Sequence, residues 1–178
     1  MFCLQAIVVL AECWLAMSAA QGPDGSCANT NTGKRRDGYA AMAKEALDAH
    51  APALLSRGGL ALRARARMAS ARAALACRGD HTEMDSWDDV LVPLEDAAAC
   101  CAALGAHAKE AEAYEMTAKV YASMGEKYIG RRNAAARKWR ECRRKSTRLA
   151  RIRAGAGGDA SVHFGGVGSF PAPTAVAV

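Results

Sequence analysis

Apolar residues along this chain recur at spacings of three and four, with polar residues between them, which is the period of an α-helix that turns one face inward. Six such stretches are legible. The first covers residues 3–20, with Ile7, Leu10, Ala11 and Trp14 on one face and Glu12 pointing away. The second starts near Asp37, a good helix N-cap, and reaches about Ser56, with a kink expected at Pro52, which has no N–H to donate. Gly58-Gly59 separate it from a third, residues 60–77. The fourth covers residues 85–104 and closes at Gly105. Its opening Asp85, Asp88 and Asp89 suit the positive end of a helix dipole, and Pro93 either bends it or moves its start to Val92. The fifth covers residues 108–124 and the sixth residues 127–153.

The last two form the clearest unit. Tyr114, Ala118 and Tyr121 share a face, Gly125 is expected to end the helix in a left-handed cap, and Tyr128, Ala135 and Trp139 return along the next helix. A small residue between aromatics lets two helices approach closely. Such a hairpin cannot bury its apolar face alone and needs stacked neighbours. Ala11 with Trp14, Ala71 with Leu75, and Ala118 with Tyr121 occupy comparable points in helices one, three and five. The offsets between the three alanines, 60 and 47 residues, are unequal, so the hairpins are irregular. The predicted fold is all-α: antiparallel helical hairpins stacked as a tetratricopeptide-like superhelical array over residues 1–153. A plain helical bundle would share much of the pattern. Residues 21–36 read as a polar, flexible loop, and residues 154–178 as a disordered Gly/Ala/Pro tail with too little to bury.

Composition agrees with helix, because alanine dominates and loses no side-chain entropy there. Charge changes the picture more. The chain carries +6, yet residues 131–153 hold eleven Lys or Arg against one acid, Glu141, a local +10 that leaves the rest at −4. Arg131, Arg132, Arg137, Arg140, Arg143, Arg144 and Arg148 form the candidate partner-binding face. Trp139 and Leu149 with Ala135 and Cys142 suggest an apolar stripe beneath it. The charge suits a solvated end cap or an acidic protein partner. The alternative is nucleic acid, whose phosphates clustered cations neutralise.

Candidate chemistry adds little. The cysteines at 3, 13, 27, 77, 100, 101 and 142 are odd in number, lack a CxxC pair and lie mostly inside helical patterns, which favours buried thiols over a disulfide framework. Cys100 and Cys101 are adjacent and point in different directions, so they make no metal clamp. His50, His81, His107 and His163 are scattered without a ligand partner one turn away. Thr32-Gly33-Lys34 lacks the remaining residues of a phosphate loop. No catalytic, cofactor or metal site is expected. The segment up to Gln21 ends in Ser18-Ala19-Ala20, as a signal-peptidase site does, but no cation precedes the apolar run and Glu12 interrupts it, so a core helix is the primary reading and secretion the alternative.

Three stretches resemble one family in the same order. AKVYASMGEKYIGRRNAAARKWREC, residues 118–142, resembles the last tetratricopeptide-like hairpin of the anaphase-promoting complex subunit 5 family. HAPALLSRGGLALRARARMASARAALA, residues 50–76, resembles the entry to the preceding hairpin, and VVLAECWLA, residues 8–16, the first helix of the hairpin before that. The family is several times longer, so the resemblance places this chain at its C-terminal portion. It implies a non-catalytic scaffold in a cell-cycle ubiquitin ligase acting in mitosis, where cullin-like and RING subunits transfer ubiquitin. The partners implied are platform subunits 1 and 4 and neighbouring tetratricopeptide subunits, and the location nuclear and cytoplasmic.

Overall fold

The computed structural model describes residues 2–20, 31–78 and 87–162. They form six α-helices: α1 (Phe2–Ala20), α2 (Asn31–Arg57), α3 (Leu60–Arg78), α4 (Asp88–Ala103), α5 (His107–Ser123) and α6 (Ile129–Val162), with a 3-10 turn, Glu126–Tyr128, leading into α6. No strand occurs among the described residues. Each helix packs on the next in sequence, and α1 also lies on α3.

Several boundaries differ from the sequence expectation. Helix α2 begins at Asn31, so Asp37 lies inside it and not at its cap, and residues 31–36 of the expected loop are helical; Pro52 sits within an unbroken helix. Ser56 Oγ donates to the Pro52 carbonyl at 2.8 Å, a contact one turn away. Helix α6 continues past Arg153 to Val162, so the start of the expected tail is helical. Residues 154–162 hold three alanines and three glycines, so local propensity does not account for that extension. Residues 21–30, 79–86 and 163–178, including Cys27, His81, Asp85, His163 and most of the expected tail, lie outside the described residues.

Helix α3 is the centre. Its alanines serve two cores on opposite sides. Ala66, Ala69 and Ala73 join Val8 and Ala11 of α1 and Ala43, Leu47 and Leu54 of α2. Met68, Ala71 and Ala74 join Val90 and Leu94 of α4 and Ala113, Val120 and Tyr121 of α5. At about 100° per residue these two sets point in opposite directions. Arg65 and Arg72, seven apart, stand on an edge between the two cores; Arg67 and Arg78, eleven apart, fall on the side of the α3–α4–α5 core and are the less exposed pair. Small side chains let both neighbouring layers approach.

Two turns are built on glycine. After α4, Gly105 takes φ +65, the Gly105 N–H donates to the Ala102 carbonyl and the Ala106 N–H to the Cys101 carbonyl. That pair of bonds is a Schellman cap. After α5, Gly125 takes φ 94 and ψ −179. This is not the expected left-handed helical cap but an extended mirror region that only glycine enters readily. It swings the chain round so that Tyr128 stacks on Tyr121, with ring centroids 6.1 Å apart.

In α1 the inward residues are Val8, Ala11 and Ser18, whereas Leu10 is 47% exposed, contrary to the face expected for it. Val9 and Met17 are exposed beside it. The segment Cys3–Ala20 is long and apolar enough to cross a membrane by length and composition, a test that core helices and signal sequences also pass.

Candidate partner-binding surface

Helix α6 lies along α5 in the opposite direction. Tyr121 meets Tyr128, Lys138 Nζ stands 5.1 Å from the Tyr114 ring centre, and the Glu110 carboxylate reaches Cys142 near the other end. The seam on α6 is a heptad-like stripe. Ala135 and Cys142 are buried; Arg132, Trp139 and Ser146 are half-buried. The next positions, Leu149 and Arg153, are exposed, so Leu149 lies on the expected apolar stripe but is not buried there.

The cations stand on the other faces of α6. Arg131, Arg137, Arg140, Arg143, Arg144 and Arg148 are exposed, and Arg132 is half-buried. Among the described residues only Lys145 of the eleven cations in 131–153 forms an ion pair, with Glu141 at 2.7 Å. Some of the charge is held against aromatic rings: Arg143 lies 5.6 Å from the Trp139 ring centre, and Lys127 and Arg131 lie 5.0 and 6.0 Å from that of Tyr128. Cations over ring faces are attracted by the ring quadrupole, so Trp139 and Tyr128 help to set where these charges stand. Arg143, Arg144, Thr147, Arg148 and Arg151 line a shallow groove of about 500 Å³. A second hollow of about 280 Å³ opens where the start of α5 meets α6, between Glu112, Glu115, Trp139 and Arg143.

The residues expected to pack the repeats are distributed over both cores. Ala11 is buried with Trp14 against it in the α1–α2–α3 core; Ala71 and Tyr121 are buried in the α3–α4–α5 core, with Tyr114 and Tyr128 packed on it. Ala118 is half-buried, while Ala113 and Thr117 of the same helix are buried. The Thr117 hydroxyl donates back to the Ala113 carbonyl at 2.9 Å, which satisfies it without a partner helix.

The ion pairs of α3 are the feature that periodicity alone does not expose. Arg65 pairs with Glu12 of α1, Arg72 with Glu112 of α5, Arg67 with Asp96 of α4 at 2.8 Å and Arg78 with Asp89 of α4 at 3.2 Å. Arg78 also lies 4.0 Å from the ring centre of Trp87. Glu12 thus faces α3 rather than away from it. The available signal was the run Arg63-Ala64-Arg65-Ala66-Arg67, in which alternation places cations on two sides of the helix.

The thiols and imidazoles show little reactive geometry. Cys100 and Cys101 pack with Ala64, and burial pushes the Cys101 thiol above its ordinary value, which favours the unreactive neutral form. The His107 ring engages Glu110 at 3.0 Å. Among the described residues no three His, Cys, Asp or Glu gather in a way that could hold a metal ion. No protein-family model, curated protein or solved structure matches this chain.

Proposed function

We propose that this chain is a non-catalytic scaffold that works by protein–protein contact, as a structural subunit of the anaphase-promoting complex, a cell-cycle ubiquitin ligase. One observation carries the scaffold reading. Helix α3 is tied to α1 by Arg65–Glu12 and to α5 by Arg72–Glu112, while each helix also packs on the next in sequence. Tetratricopeptide-like stacking of the hairpins is part of the proposal. Helices joined by such long-range pairs hold distant surfaces at a set separation. The assignment to this ligase rests on the ordered three-part resemblance at residues 8–16, 50–76 and 118–142. Affinity purification of the tagged chain from its own cells tests it. Co-elution of the cullin-like and RING subunits is the expected result; their absence from a purification that recovers other stable partners overturns the assignment.

A second reading, nucleic-acid binding through residues 131–153, is favoured by the groove that Arg143, Arg144, Arg148 and Arg151 line. It predicts affinity for duplex DNA or RNA that falls steeply with salt, because bound phosphates release counterions. Replacing Arg143, Arg144 and Arg148 by Gln should flatten that slope.

A further inference from the structure

Helix α6 is twice as long as the helix that covers it, 34 residues against 17. At 1.5 Å per residue these are roughly 51 and 26 Å. Because α5 starts at His107, which lies alongside the middle of α6, cover from the described residues of this chain ends near Thr147. Every described residue from Thr147 to Gly155 is exposed, including Leu149 at 39% and Ile152 at 56%. Leu149 lies seven residues beyond buried Cys142 and fourteen beyond buried Ala135. It is the next seat in the same seam, not a stray surface leucine.

From this we infer that the overhanging half of α6 is the docking surface for an acidic amphipathic helix of a partner protein, seated as a continuation of α5. The reading rests on the chain being a protein-contact module, but not on which assembly it joins. The chemistry of the occupant follows from the established half of the interface. On α5, alanines and Tyr114 meet the seam; Glu115, paired with Lys119 at 2.8 Å, lines one hollow with Arg143 of α6, and Glu110, engaged with His107, also reaches Cys142 and Lys145. Beyond Thr147 the seam continues with Leu149 and then Arg153, with Ile152 at its border and Arg148 and Arg151 on its flanks. An occupant must therefore bring small or apolar residues at heptad spacing, with carboxylates on both flanks. A second α6 would bring more cations and repel. Residues 163–178 contain no acidic side chain, so charge does not select them. Nucleic acid would use the arginines but leaves the leucine and isoleucine without a purpose.

The test uses the full chain and a synthetic acidic helix of α5's length, 17 residues, with Leu and Ala on its seam and Glu on its flanks; a control peptide carries Lys in place of Glu. The acidic peptide should bind and the lysine peptide should not. L149S/I152S should weaken binding about tenfold or more, as truncation of central apolar anchors does. The melting temperature of that variant should stay unchanged, because both side chains lie outside the core. R148Q/R151Q should weaken binding and reduce its salt dependence. Equal binding of both peptides, or of neither, overturns the inference. So does duplex DNA binding that L149S/I152S leaves intact while peptide binding is absent, or self-association of the chain alone through these two residues. The peptide titration reads only this surface, whereas co-purification reads membership of the ligase, so the two proposals fail separately.

Discussion

Arg65 grips Glu12 through both prongs of its guanidinium, Nε to Oε1 at 3.1 Å and Nη2 to Oε2 at 2.6 Å, across 53 residues of sequence. The pair joins α1 to α3. Its geometry is good, but both side chains retain substantial water contact, at 44% and 35% exposure. Solvent screening then limits its worth. A double-mutant cycle on Glu12→Gln and Arg65→Gln, read by urea unfolding, should give a coupling of no more than about 1 kcal/mol. The coupling should shrink as salt is added.

The packing of α4 should matter far more. Leu94 is fully buried in the core that α3, α4 and α5 share. Leu94→Ala removes apolar contacts and leaves a cavity, so it should cost about 2–5 kcal/mol. Leu149→Ala, the same change beyond the end of α5, should fall within about 0.5 kcal/mol of the parent. Equal effects at the two positions would mean that α6 does not overhang.

Glycine positions separate turn from helix. Gly125 needs its φ of 94 to bring Tyr128 onto Tyr121. Gly125→Ala should destabilise by about 1–3 kcal/mol and weaken the near-ultraviolet dichroism of the stacked tyrosines. Gly38 lies inside α2 with nothing within 4 Å of an added Cβ. Gly38→Ala should stabilise by about 0.5–1 kcal/mol, chiefly by restricting the unfolded chain.

Cys142 sets a pH dependence at the alkaline end. Burial first, and the Glu110 carboxylate next, push its thiol from the ordinary value of 9.0 up to about 11. The folded state thus holds this proton more tightly than the unfolded chain does. Its contribution is complete below pH 9.0 and is lost as pH rises through about 11. Melting temperature should fall over that window, and Cys142→Ala should make the fall shallower. Near neutral pH, thiol reagents should modify the exposed Cys3, Cys13 and Cys77 well before the buried Cys100, Cys101 and Cys142.

What could be read along the chain was local. Spacings of three and four marked all six helices, and Gly105 and Gly125 marked two turns, because helical period and glycine's access to positive φ act over a few residues. The ends of α2 and α6 were harder. Asp37 looks like a cap wherever it stands, but a cap term of about 1 kcal/mol is outweighed by neighbouring context; the glycines after Arg153 look like a stop, and no local term explains why the helix continues through them.

The sequence by itself determined that this chain is helical, where most helices lie, and that one of them is strongly basic, since side-chain size, charge and backbone freedom belong to each residue. Only tertiary structure decided that α3 is buried on two sides, that its arginines reach Glu12, Asp96, Asp89 and Glu112, and that Leu149 lies beyond the reach of α5. Those outcomes depend on which helix lies beside which, and on where each one ends. Such distances are set by packing between segments dozens of residues apart, which no repeating pattern within a single helix can encode.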